Sequence, residues 1–427
     1  MKKILIKNAK VLDFEKGKEI LRDVLIEGDT IVDVKESVLD ENAEVLDIEG
    51  KYLFPGLIDA HAHFREPGEE YKEDIKSGSR AALHGGVTTV LAMPNTKPPL
   101  DSRAMIDFVI ERAKEAGYAE VLPVGTITKG REGEELAEIG DMKEGGAVAF
   151  SDDGSWVRNS SVMRRALEYS IAFDTVIISH AEDSSLSHGI AHESVLSYEM
   201  GLEGYPAQQE EIAVFRDIKL AELTGGRLHI AHVSSSGSLK IIKDAKERGV
   251  NVTCEVTPNH LLLAQEEIDL FNPLYKVNPP VRSRNDRASL LNALKDGTID
   301  IIATDHAPHN WYEKETDFNS APFGMISLDF YFSLLYSELV SNNKLSLFDL
   351  VAAVTYKPAE IFKLKDRGRI AKGFLADLVV FDPRKEFVIT EEFIRSKSKN
   401  TPFLGKKVKG SFVKVIKKGR VLDIEEI

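Results

Sequence analysis

The stretch YLFPGLIDAHAHFREPG, residues 52–68, decides the fold. It opens as an apolar run of the kind that forms a strand buried on both faces. It closes with Asp59, His61, His63, Arg65 and Glu66 inside ten positions. Ionisable groups are costly to bury without partners. A buried strand that turns polar at its C-terminal end therefore surfaces where something is bound or made.

Seven further stretches repeat the pattern: VTTVLAMP (87–94), AEVLPVGTIT (119–128), GAVAFSDD (146–153), TVIISHAED (175–183), RLHIAHVS (227–234), NVTCEVTP (251–258) and IDIIATDHAP (299–308). Helix-length segments such as SRAMIDFVIERAKEAG and SLKIIKDAKERG lie between most of them. Strands alternating with helices predict a parallel sheet covered on both faces, and eight is the count of a closed (β/α)8 TIM barrel. An open doubly wound sheet is the alternative. The barrel is assigned to residues 56–365. Residues 1–55 and 366–427 read instead as short strands separated by turns, which predicts one small β-sandwich domain built from both termini.

Composition narrows the function. The net charge of −14 argues against nucleic acid or an anionic membrane as partner. No apolar run reaches membrane-spanning length, and the charged N-terminus lacks the apolar core of a signal peptide, so a cytoplasmic enzyme is expected. The single cysteine, Cys254, precludes an internal disulfide and reads as a core residue. Any metal site must rest on imidazole and carboxylate.

Those ligand types collect at strand ends: His61 and His63 on the first, Asp152 and Asp153 on the fourth, His180 on the fifth, His232 on the sixth, Asp305 and His306 on the eighth. In a parallel barrel these ends share one rim. Nitrogen and oxygen donors without thiolate suit Zn²⁺ at a hydrolytic site. Six ligands exceed the need of one tetrahedral ion and fit two. Adjacent strand residues face opposite ways, so only one of Asp152 and Asp153 reaches the ions. By the same period His229 faces away from His232, and Arg65 follows His61 and His63 on one face. Arg65, Asn95, Asn278 and His309 are candidates for holding substrate. The competing reading of Arg65 is a rim salt bridge to Glu66, Glu69 or Glu70, and that of Asn95 and Asn278 is ordinary turn residues. Residues 310–324, beside the rim, have the length of a lid or of a surface connection.

The motifs DAHAHFREPG, MPNTKPP, FSDDG, HVS, VTPNH, VNPPVR, ATDHAPH and APFG together resemble the amidohydrolase superfamily, and within it the long, bacterial–archaeal dihydroorotases. The resemblance spans essentially the whole chain. It implies reversible cyclisation of N-carbamoyl-L-aspartate to L-dihydroorotate in pyrimidine (UMP) biosynthesis, through a metal-bound hydroxide. It implies one or two zinc ions: His61 and His63 on one, His180 and His232 on the other, and Asp153 where many cyclic-amide hydrolases carry a carboxylated lysine. Asp305 becomes a metal ligand and the catalytic acid/base. Arg65, Asn95 and His309 would hold the substrate carboxylate, with Asn278 and the main chain at Phe323 and Gly324 against the ring. Aspartate transcarbamoylase is the partner implied, and a homodimer the expected assembly. Allantoinase or dihydropyrimidinase activity, or a non-catalytic scaffold for aspartate transcarbamoylase, are the alternatives. Asn259 stands where many members carry histidine, and MISLDF follows PFG where glycine and glutamate are common.

Overall fold

The computed structural model describes residues 2–427. Eight strands, Leu57–Ala62, Val87–Ala92, Glu120–Gly125, Ala149–Ser151, Ile177–Ser179, Leu228–Ile230, Val252–Val256 and Ile301–Ile302, pair in chain order, each parallel to the next. The first and eighth then meet through a parallel bridge between Ala62 and His306, and the His63 amide donates to the His306 carbonyl at 2.9 Å. The sheet is closed, which rules out the open alternative.

Side chains divide by period two. Val90, Phe150, Ile177, Ile230 and Ile302 face outward and share one large apolar cluster with helix residues such as Ile106, Met163, Ile218, Ile242 and Leu290. Their neighbours Leu91, Ala149, Ile178, Ala231 and Ile301 form a separate cluster inside the barrel. The helices begin where the sequence provides caps. Asp74, for example, accepts the Ser77 amide at 2.7 Å while its own amide donates to the Ser77 hydroxyl, opening the helix Ile75–His84. No helix among the described residues is long and apolar enough to cross a membrane.

The terminal segments join as expected. Strands Lys3–Asp13, Lys18–Glu27, Thr30–Lys35, Glu44–Asp47 and Tyr52–Pro55 pair into one sheet with Leu378–Val388, Lys407–Lys417 and Arg420–Asp423. The predicted small sandwich is realised as this one eight-stranded sheet, with a core that includes Ile6, Val24, Leu53 and Ile416. The strand Leu378–Val388 shows how the two bodies are joined. Leu378 and Val380 enter the terminal core, whereas Val379 and Phe381 enter the barrel's outer cluster. Phe381 packs its ring 4.9–5.8 Å from those of Phe54, Phe332, Tyr336 and Phe412.

Phe381→Ala is expected to destabilise the protein by about 3–5 kcal/mol, as large-to-small changes at such sites do. Chemical denaturation checks this; a loss below about 1 kcal/mol would mean that the two bodies are held together elsewhere.

Candidate metal centre

The C-terminal ends of the barrel strands bring His61, His63, Asp153, His180, His232 and Asp305 into one cluster, buried except for the partly exposed Asp305. Ligand atoms of His61, Asp153 and His232 lie within 4.8 Å of one another, as do those of His61, His63 and Asp305. Asp153 is central. Its Oδ1 is 3.3 Å from His61 Nε2, 3.4 Å from His180 Nδ1 and 3.6 Å from His232 Nε2, and its Oδ2 is 3.5 Å from His63 Nε2. Asp305 Oδ1 approaches His63 Nε2 at 3.0 Å. Asp152 turns away and accepts the amides of Ile127 and Thr128 at 2.8 and 3.0 Å, so the two acids of SDDG separate as alternation requires. His306 also lies outside the cluster, where its Nε2 is 3.6 Å from Glu73.

A donor set of four imidazoles and two carboxylates suits divalent cations such as zinc. The fit has a structural sign as well. His61 Nε2 and Asp153 Oδ1 are both buried, and neither has a hydrogen-bond partner despite their proximity. Buried polar atoms are rarely left unpaired, and an ion between them satisfies both.

The period-two expectation fails at the rim. The first strand ends at Ala62, so His63 and Arg65 lie beyond it. Arg65, His232 and Asp305 have positive φ, at 59°, 33° and 46°. Such conformations are strained for residues other than glycine and cluster where function re-aims a side chain. His229, expected to face away from the site, instead donates from Nε2 to Glu255 at 3.1 Å, and Glu255 accepts from His61 Nδ1 at 2.6 Å. The left-handed turn at His232 breaks the parity on which that expectation rested.

Neither Glu255 nor Glu182 was singled out in the sequence. Glu182 Oε2 lies 2.9 Å from His180 Nε2 and accepts from Asn278 Nδ2 at 2.7 Å, while its Oε1 accepts from Gln209 at 3.0 Å. The signal available was an acid one or two residues beyond a ligand histidine, or alone within an apolar strand. Charges in the cluster balance one another. Burial opposes a proton on His180, but the carboxylates of Asp153 and Glu182 close to its ring outweigh it and push the imidazole up to about 10. Burial likewise disfavours charge on His61, yet Asp153 and Glu255 raise it well above its ordinary value. Burial opposes ionisation of Asp153, but His61, His180 and His232 hold its carboxyl far below the usual range.

At the rim, Arg65 does not make the salt bridge weighed for it. Glu66 pairs with Arg112 at 2.7 Å, Glu69 with Lys72 and Lys97 at 3.1 and 2.8 Å, and Glu70 accepts the Gly68 amide. Arg65 Nε donates to the Pro308 carbonyl at 3.2 Å, and its Nη2 lies 3.5 Å from His309 Nε2. Among the described residues no carboxylate pairs with Arg65. Burial, with Arg65, Lys314 and Lys72 nearby, pushes His309 down to about 2, so its ring is neutral. His309 Nε2–H donates to the Phe323 carbonyl at 2.7 Å. Asn95 accepts from His63 Nδ1 at 2.8 Å, orienting that ring. Asn278 Oδ1 is buried and has no partner.

Gly324 spends its amide on the Lys276 carbonyl and its carbonyl on Asn400. Its φ of 130° and the close approach of Ala307, 2.6 Å from where a β-carbon would lie, require glycine. Residues 310–324 carry the short helix Trp311–Lys314 and are anchored by Lys314, which donates to Pro273 and Pro322 carbonyls at 3.1 and 2.6 Å. Beside the cluster opens a cleft of about 490 Å³ whose lining includes Arg131, Gly154, Glu182, Asn278 and Phe323.

A closed (β/α)8 barrel with histidines and aspartates gathered at its rim is the architecture of metal-dependent hydrolases, and the comparisons agree. The sequence profile described as Amidohydrolase family matches residues 52–422, and the chain belongs to that family. Its relatives over nearly the full length are named Dihydroorotase. One from Carboxydothermus hydrogenoformans is 45% identical over 419 residues, covering 98% of this chain and 97% of the relative. Another, from Pelotomaculum thermopropionicum, is 47% identical over 421 residues, covering 98% of each. Among solved structures, an L-hydantoinase (dihydropyrimidinase) from Arthrobacter aurescens superposes with a TM-score of 0.88 at 25% identity, over 99% of this chain and 96% of that one.

A metal-ligating imidazole must present a bare nitrogen, so metal binding displaces the protons that His61 and His180 hold in the metal-free cluster. Because His180 loses its proton only near pH 10, affinity is expected to fall as pH drops below that value. Calorimetric titration of zinc at pH 8 in two buffers of different ionisation enthalpy should show net proton release. Identical heats in both would contradict this charge assignment.

Proposed function

We propose that this chain is a zinc-dependent dihydroorotase, which interconverts N-carbamoyl-L-aspartate and L-dihydroorotate in pyrimidine synthesis. The observation that carries the reading is Arg65. It is a cation without a carboxylate partner, set beside neutral His309 at the edge of a six-ligand cluster, in a chain whose full-length relatives bear the name Dihydroorotase. Both substrate and product keep a carboxylate that does not react. A guanidinium fork suits that group, and a site built for a neutral ring has no use for it. Asn95 contributes its Nδ2 donor to the proposed carboxylate pocket, and His309 joins it when its Nε2–H turns from the Phe323 carbonyl to the substrate.

His61, His63, Asp153, His180, His232 and Asp305 would hold one or two zinc ions. Bound there, they supply Lewis acidity to water and to the reacting carbonyl oxygen. Arg65 and Asn95 fix the substrate so that the reacting carbonyl carbon faces the cluster, and positioning of this kind can contribute several kcal/mol. In ring closure the terminal ureido nitrogen bonds to the side-chain carboxyl carbon, one carboxylate C–O bond breaks, and the departing oxygen leaves as water after gaining the nitrogen's proton and a second one from solvent. Asp305 takes the proton from that nitrogen and returns it to the departing oxygen; in hydrolysis the transfers run in reverse. Asn278 Oδ1, buried and unpartnered, is available to accept a ring N–H. The main chain at Phe323 and Gly324 bounds the ring on the same side. An aspartate rather than a lysine at position 153, together with the unpaired Arg65, favours this reading over an allantoinase or dihydropyrimidinase. Assays with and without aspartate transcarbamoylase test the proposed partnership.

Two substitutions test these roles. Asp305→Asn should lower turnover by about 10²–10⁴-fold while metal analysis still finds zinc in the protein; normal turnover would remove Asp305 as the acid/base. Arg65→Met should cut kcat/KM for dihydroorotate by at least about tenfold, the loss of a charged hydrogen-bonded contact. Any residual hydrolysis of dihydrouracil, which has no carboxylate, should be unchanged. Equal losses on both substrates would mean that Arg65 supports the fold rather than the substrate.

A further inference from the structure

Glu255 lies on the seventh barrel strand, Val252–Val256, and is 1% exposed. Its Oε1 accepts from His61 Nδ1 at 2.6 Å and from the His232 amide at 3.3 Å. Its Oε2 accepts from His229 Nε2 at 3.1 Å, and His229 Nδ1 in turn accepts from the Thr253 hydroxyl at 2.7 Å. Among the described residues no lysine or arginine pairs with it. Burying a carboxylate without a compensating cation is costly, so this one needs positive charge delivered through its histidines.

An ionised carboxylate accepts hydrogen bonds and has no proton to donate. Both imidazole nitrogens facing Glu255 must therefore carry hydrogen. Once His61 is neutral its lone pair is confined to Nε2, the buried atom without a partner that lies 3.3 Å from Asp153. We infer that Glu255 is a positioning residue that locks His61 in the Nδ1–H tautomer, presenting Nε2 to a divalent cation, with His229 and Thr253 holding Glu255 in place. The inference deepens the proposed metal centre and rests on His61 being a ligand. It assigns a use to His229, a histidine inside the barrel that no catalytic step employs. It also explains why an acid interrupts the apolar run of NVTCEVTP.

Glu255→Gln tests it with almost no change of shape. The amide oxygen would still face His61 Nδ1 and the His232 amide, but without charge it holds the Nδ1–H tautomer less firmly, and its NH2 must face His229, whose Nε2 then gives up its hydrogen. Zinc affinity, measured by competition with a chromophoric chelator, is expected to fall about 10–100-fold, as loss of a ligand's supporting partner does. The absorption spectrum of the Co²⁺-substituted protein should change, while the thermal midpoint of the metal-free protein stays near that of the parent. His229→Gln, which removes only the anchor, should move affinity in the same direction by less, and it decides the matter if Glu255→Gln does not fold. Parental zinc affinity and Co²⁺ spectrum in the folded variant, with His61→Ala losing metal, would overturn the inference alone. If His61→Ala also keeps its metal, the reading of the metal centre falls instead.

Discussion

The site depends on the seam where the first barrel strand meets the eighth. Asp59 and Thr304 are 245 residues apart in sequence, yet the Thr304 amide and hydroxyl both donate to the Asp59 carboxylate, at 2.8 and 2.6 Å. Asp59 is fully buried, and burial pushes its carboxyl up to about 6 against those two bonds. One layer higher the chains meet again through His63 and His306. His61 stands two residues from both Asp59 and His63, and Asp305 stands between Thr304 and His306. Closure of the barrel and assembly of half the cluster are thus one event, and a sheet left open at this seam would separate His63 from Asp305.

The cluster that results is a balance of opposite charges in a poorly solvated place. Four imidazoles face Asp153 and Asp305, while Glu255 and Glu182 stand behind two of the rings. Without metal, protons on the histidines supply the positive charge; with metal, the ions do. Arg65 stands apart from this balance. The acids near it in sequence are taken by Arg112, Lys72 and Lys97, and its own partners are a backbone carbonyl and a neutral histidine. An unneutralised cation at the rim of a chain with net charge −14 is the feature on which the proposed carboxylate pocket rests.

Much of this was legible in the sequence because burial and ligation leave local marks. Eight apolar runs located eight strands, and polar residues at their ends located the rim. Alternation correctly separated Asp152 from Asp153. It failed at His229 and at Arg65, because the backbone leaves the extended region at Arg65 and His232, and no pattern of residue types announces a positive φ at such residues. Glu255 and Glu182 were passed over because what distinguishes them is the histidine each touches, and those contacts span sheet neighbours or a rim turn. The unpaired state of Arg65 was equally invisible, since it depends on Arg112, Lys72 and Lys97 claiming the neighbouring acids.

The measurement that bears most directly on the account is cyclisation of N-carbamoyl-L-aspartate by purified protein, followed as zinc is added to metal-free chain and bound zinc is counted. L-dihydroorotate should form in proportion to bound zinc, with aspartate transcarbamoylase added where the chain alone is slow. Zinc bound at the cluster with no dihydroorotate formed, alone or with that partner, would contradict it.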